Sequence, residues 1–202
     1  MEVITRVERD NAANYLANTK NEIIGAIRDF NQEQLEFKPG SHRWSIAETV
    51  HHLAIVDSLV LGIAANSISA CETGESALKD QDKGLLSQVR DRRKKLQAPD
   101  IGNPLRELSP STVISAFETG REELIKFIRD TDVPLRQYIV PHPVFGDLDC
   151  YQWILSLGAH AERHLKQVLE TIDSPGFSRA HTSAEDEQPS IFHLVGSSAA
   201  SR

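Results

Sequence analysis

Apolar positions recur at helical spacings in four stretches of the chain, and each stretch carries a start or stop signal. In the first, about residues 5–30, Leu16, Ile23, Ile27 and Phe30 form an inward stripe before Pro39 and Gly40 break the chain. The second opens at Ser45-Ile46-Ala47-Glu48 and runs to about residue 68. Ser45 and Glu48 make a capping box there, each side chain satisfying a free backbone N–H of the first turn. The third opens at Ser109-Pro110, an N-cap followed by proline at the first helical position, with Phe117, Leu124 and Ile128 facing inward. The fourth spans about residues 149–172. The pattern predicts an all-α chain, a four-helix bundle with a long connection between the second and third helices.

That connection, about 40 residues, is too long for a bare loop in a compact domain. Leu85, Leu86 and Val89, beside the basic run Arg90, Arg92, Arg93, Lys94 and Lys95, predict a short extra helix inside it. The run reads as a solvated helix face, with contact to an acidic ligand as the sharper alternative. Residues 136–147, with Pro141, Pro143 and Gly146, predict an extended or hairpin-like connector. The bundle domain is expected over residues 1–173. Residues 174–202, rich in Ser, Ala, Gly and Pro, are expected to form a loosely ordered tail, with one apolar patch at Ile191-Phe192 and Leu194-Val195 that can dock on a neighbour.

Composition narrows the function without choosing it. Hydrophobic residues make up 40% and charged residues 25% of the 202, an ordinary globular mix. A formal net charge of -7 argues against a nucleic-acid binder that relies on a general positive field. The N-terminal stretch mixes acid and base and lacks the apolar run of a signal peptide. The most apolar stretch, residues 59–68, is interrupted by Gly62, Asn66 and Ser67, so a core helix is expected and not a membrane span. Cys71 and Cys150 are too few for a secreted disulfide framework, which points to reduced thiols in the cytoplasm.

The sharpest chemical signal is in the fourth helix. His160 and His164 are four apart and share one face, the spacing at which two imidazoles reach one metal ion. Trp153, Leu157, His160, His164 and Gln167 follow at steps of four, three, four and three, which is the inward stripe. Two imidazoles on an apolar face need buried partners for their ring nitrogens, and a metal satisfies both at once. Gln167 can steady the pair by accepting a ring N–H. A third ligand must come from elsewhere, and the second helix offers His51 and His52. That helix is apolar nearly all round, so periodicity leaves both open. Glu48 lies one turn before His52 and can serve as a base or as the helix cap, the cap being the preferred role. His142, between two prolines, reads as a connector residue that could also line the mouth of the site. His42, His181 and His193 are expected at the surface. No P-loop, dinucleotide fingerprint or nucleophile elbow is present.

Taken together, Trp44-Ser45-Ile46-Ala47-Glu48, His52-Leu53, the run His142-Pro143-Val144-Phe145-Gly146 with Tyr151-Gln152-Trp153, and His160-x3-His164-x2-Gln167 resemble the DinB/YfiT-like superfamily of metal-binding four-helix bundles. The resemblance covers about residues 5–173. It implies His52, not His51, as the third ligand beside His160 and His164, because the family ligand directly precedes a leucine. A divalent metal is then expected, zinc or nickel first and iron as a further option.

By the same resemblance the chain is expected to be a metal-dependent transferase that joins a low-molecular-weight thiol to a small electrophile. A metal-dependent hydrolase and a non-catalytic, stress-related binding protein are the alternatives. A small-molecule substrate and a homodimer complete the expectation, with no nucleic-acid or membrane partner.

Overall fold

The computed structural model describes residues 4–66, 78–93, 102–104 and 108–178. Six helices and one hairpin follow in order: α1 (Arg6–Ile27), α2 (Gln32–Glu36), α3 (Ile46–Asn66), α4 (Asp82–Arg90), α5 (Pro110–Asp130), β1 (Ile139–His142), β2 (Gly146–Asp149) and α6 (Cys150–Ile172). The four long helices form the bundle. α4 is the short helix expected in the long connection, and β1 pairs antiparallel with β2 where a hairpin-like connector was expected. Gly146 sits at φ +76, a left-handed conformation that a side chain disfavours, so the turn closes there. The expected first helix is divided, because Asn31 caps the separate short α2 through a capping box with Gln34.

Local chemistry sets the helix ends. Thr5 and Glu8 form a capping box at α1, Ser45 and Glu48 at α3, and Asp149 and Gln152 at α6. Ser109 accepts from Thr112 N at the start of α5, with Pro110 in the first turn. At the far end of α5, Arg9 of α1 donates to the carbonyls of Ile128 and Thr131, at 2.9 and 2.5 Å. Those carbonyls would otherwise face solvent or nothing.

Helix order in the bundle does not follow the chain. α1 packs on α5 and α6, and α3 packs on the same two helices. Successive long helices α1 and α3 therefore lie across the diagonal, as do α5 and α6, and only α3 and α5 are both consecutive and adjacent. This arrangement places α3 directly against α6. α3 is apolar enough to cross a membrane by length and composition, with mean hydropathy 1.4. Here it is the central wall of the bundle, burying Ile46, Val50, Leu53, Val60 and Ala64.

Two further contacts lock the frame. Arg136, only 11% exposed at its side chain, reaches Glu8, Asp82 and Asp149 and so ties α1, α4 and α6 together. Its guanidinium lies 4.0 Å from the centre of the Tyr151 ring. On the α1–α6 contact, the Tyr15 ring occupies the space a side chain at Gly158 would need: a Cβ there would lie 2.3 Å from Tyr15 Cε1. The ring is pinned by a hydrogen bond from Arg90 to its hydroxyl at 2.6 Å. Gly158→Ala is therefore expected to destabilise the fold by about 1–3 kcal/mol, as overpacking does. Denaturant unfolding checks this, because a glycine replaced without a clash in mid-helix stabilises by about 0.5–1 kcal/mol. A gain in stability would show that α1 and α6 do not approach so closely.

The packed chain continues past α6. Phe177 is buried and meets the rings of Phe30 and Phe37 edge-on, at 5.3 and 5.5 Å, and Gln34 donates to the Ser178 carbonyl at 2.7 Å. Residues 174–178, the first of the expected tail, thus pack on α2 and the chain that flanks it. The apolar patch at Ile191 to Val195 lies outside the described residues, as do Cys71, Lys94, Lys95, His181 and His193.

Candidate metal centre

The contact between α3 and α6 brings His52, His160 and His164 together, with one ring nitrogen of each inside a 4.8 Å cluster. His160 Nε2 lies 3.2 Å from His52 Nε2 and 3.1 Å from His164 Nε2. The opposite nitrogens of two rings are engaged. His52 Nδ1 meets the Gly102 carbonyl at 2.6 Å, and His164 Nδ1 meets Gln167 Oε1 at 3.2 Å. Each acceptor assigns the ring proton to Nδ1, which leaves the Nε2 lone pair facing the cluster. Three Nε2 atoms in mutual contact then have at most one proton to share.

A cation resolves this directly. Metal–imidazole bonds of about 2.0–2.1 Å place tetrahedral ligand nitrogens roughly 3.3–3.4 Å apart. The spacings at His160 are close to that, so the cluster can hold a metal ion with little movement. Trp44, just before α3, covers the rings: its centroid lies 4.9 Å from that of His52, and it stacks on His164 at 6.3 Å and 22°.

Electrostatics keep the rings neutral. Burial lowers the His52 pKa, with the Gly102 hydrogen bond opposing and the charge of His51 adding to the shift. Burial also pushes His160 well below the ordinary histidine value, helped by His164 and His52, and lowers His164 to about 3. Neutral imidazole is the form that donates to a metal.

Other sequence candidates fall elsewhere. His51 is buried on α3 and does not belong to the cluster. Glu48 accepts from Ser45 N at 2.9 Å and pairs with Lys38 at 2.6 Å, which places it at the helix cap. His142 shapes the hairpin turn: its Nδ1 accepts from Val144 N and Phe145 N at 3.1 and 3.3 Å, and its ring packs on Trp153. His42 is exposed, and Cys150 is a buried free thiol. The basic run is not free to bind an anion in the simple way its charge suggests. Arg90 pairs with Glu162, Arg92 with Glu170 and Arg93 with Asp91.

An open cleft of about 660 Å³ between α1, α4 and α6 is lined by Tyr15, Lys83, Arg90, Arg136 and Tyr151, away from the histidines. Its two arginines are held by the chain's own carboxylates. The convergent nitrogens, not this cleft, mark the chemistry.

Sequence reasoning missed the Gly102 carbonyl, which lies 50 positions from His52 and has no local signal. It also missed the covering role of Trp44, whose place immediately before a capping box was the available clue.

The fold and the cluster define a class: four-helix bundles carrying a three-histidine site between two helices. The chain belongs to the DinB superfamily, whose family profile matches residues 15–168. It is 30% identical over 145 residues to the uncharacterized protein YuaE of Bacillus subtilis (strain 168), covering 71% of this chain and 86% of that one. Its fold is similar to that of YfiT from Bacillus subtilis, described as a probable metal-dependent hydrolase with an unusual four-helix bundle topology. That similarity has a TM-score of 0.60 at 16% identity and covers 88% of this chain and 93% of YfiT.

Proposed function

We propose that His52, His160 and His164 hold one divalent metal ion, zinc or nickel before iron, and that the protein is a metal-dependent transferase joining a low-molecular-weight thiol to a small electrophile. The observation that carries the reading is the convergence of three Nε2 lone pairs, two of them oriented by hydrogen bonds at Nδ1. Imidazole suits all three metals, and three protein ligands leave a position for a small molecule. A metal bound there would supply a positive charge that ionises a thiol or a water near neutral pH.

The chain's own contribution is positional. Gly102 and Gln167 fix two ring tautomers, and Trp44 shields one side of the cluster from water. Among the described residues no carboxylate joins the three histidines, and Glu48 is occupied at its cap. A nucleophile that ionises without a strong base fits such a site. A thiol, with an ordinary pKa of about 8.5, meets that need better than water at about 15.7.

A hydrolase is the second reading, favoured by the description of YfiT. Calorimetry separates the two: a panel of cellular thiols is added to metal-loaded and metal-stripped protein in buffers of different ionisation enthalpy. Thiol binding with proton release by the loaded form alone is expected. No binding across the panel, with metal-dependent cleavage of an ester or amide, would pass the function to the hydrolase. Neither result would leave a binding module organised by metal.

A further inference from the structure

Four buried side-chain polar atoms lack a hydrogen-bond partner among the described residues, and three of them lie beside the histidine cluster: His160 Nδ1, Asp57 Oδ1 and Arg121 Nη1. The fourth, Arg92 Nη1, belongs to an arginine already paired with Glu170. Asp57 on α3 and Arg121 on α5 form an ion pair at 2.6 Å with both side chains at 0% exposure. Arg121 also donates to the Leu157 carbonyl at 3.1 Å. Leu157 is one step before His160 on the inward stripe of α6, so the guanidinium sits a turn from the ligand ring. Burial accounts first for the low pKa of His160, and the charge of Arg121 is close enough to add to it.

We infer that Asp57, held by Arg121, anchors the ring of His160 through one buried water, which makes the pair positioning residues of the metal centre. The inference rests on the reading of the three histidines as ligands. His52 and His164 each have a protein oxygen at Nδ1, and His160 is the ring without one. Metal-ligating histidines nearly always give that second N–H to a carboxylate, a carbonyl or a water, which sets ring orientation and basicity.

The donor count fits a single water. It accepts from Arg121 Nη1 and from His160 Nδ1–H, and it donates to Asp57 Oδ1. Three hydrogen bonds is the usual number for a buried water, and all three unpartnered atoms are satisfied together. The same water also serves the metal-free protein. There the His160 proton can sit on Nε2, shared with the other rings, and the water donates to Nδ1 instead. Metal binding then moves the proton from one His160 nitrogen to the other without breaking the anchor. A buried ion pair is a weak stabiliser compared with an apolar replacement of similar volume, so its position beside His160 is better explained by the ring than by stability.

Asp57→Leu with Arg121→Met removes both charges together and avoids stranding either one, so the double variant is expected to fold. Cobalt(II) titration followed by visible absorption is expected to show binding about 10–100-fold weaker than wild type. In the zinc-loaded wild type, nitrogen-15 labelled histidine should give a slowly exchanging Nδ1 proton on His160. The double variant should lose that signal and keep those of His52 and His164. Wild-type cobalt affinity in a folded double variant would overturn the inference, as would an unchanged His160 signal.

Should the variant not fold, a crystal structure of the wild-type protein decides. A water within hydrogen-bond distance of all three atoms supports the anchor, and its absence overturns it. Wild-type protein that takes up no cobalt would overturn the metal reading alone, and the water in the metal-free crystal would still test the anchor.

Discussion

Replacing His160 or His164 with alanine abolishes tight binding of a divalent metal ion, and the wild-type protein carries about one per chain. Each ring supplies one of three converging nitrogens, and two ligands hold a divalent ion far less firmly than three. His52→Ala is expected to do the same, whereas His51→Ala keeps the metal, because His51 is buried outside the cluster. Metal analysis after dialysis reads all four variants. The reverse result at positions 51 and 52 would move the third ligand to His51, and unchanged metal in a His160/His164 double variant would remove the site altogether.

The thermal effect of the same metal is also large. At metal about 1,000-fold above its dissociation constant, binding stabilises the folded state by about 4 kcal/mol. For a chain of this length each kcal/mol is worth about 2–4 °C in Tm. Chelation is therefore expected to lower Tm by roughly 8–16 °C in the wild type and by almost nothing in His160→Ala.

Arg136→Ala is expected to cost about 3–5 kcal/mol, because it leaves three carboxylates facing one another around an empty position. Asp149 is fully buried there, and Glu8 is 12% exposed. The drop in Tm should be roughly 6–20 °C. A loss below about 1 kcal/mol would show the network to behave as an ordinary surface ion pair.

The pH dependence gives a second readout. Burial works against ionisation of Glu8, but hydrogen bonds from Thr5 and from Arg136 outweigh it and hold its pKa at about 2, below the ordinary 4.5. A lowered folded-state pKa means that the unfolded chain binds more protons below pH 4.5. The stability contributed by Glu8 is thus present above pH 4.5 and is lost as pH falls toward 2. Removing Arg136 should flatten that part of the curve of Tm against pH. The buried histidines act in the same direction at higher pH. Their contribution is lost as pH falls below the ordinary 6.5, and that part of the curve should persist in the variant.

The sequence by itself determined what short-range physics controls. Helix starts at Ser45, Ser109 and Asp149 were legible because a capping residue and its backbone partner lie within one turn. The pairing of His160 with His164, and of His164 with Gln167, was legible because helical spacing alone puts them on one face. The hairpin before α6 was legible from its prolines and Gly146.

What only the tertiary structure decided depends on contacts between segments far apart in the chain. Periodicity did not choose between His51 and His52, since α3 is apolar on every side and packs against both α5 and α6. The resemblance of His52-Leu53 to a family pattern pointed to one of them, and the α3–α6 contact then brought His52, not His51, to the other two rings. No local rule puts α1 diagonal to α3, yet that order is what sets α3 against α6. The Gly102 carbonyl, the Asp57–Arg121 pair and the reach of Arg136 to three separate elements are likewise matters of packing. A polar side chain in a sequence carries no mark of the partner it will meet once water is excluded. At the histidine cluster, the identity of those partners decides which nitrogen of each ring is left to face a metal.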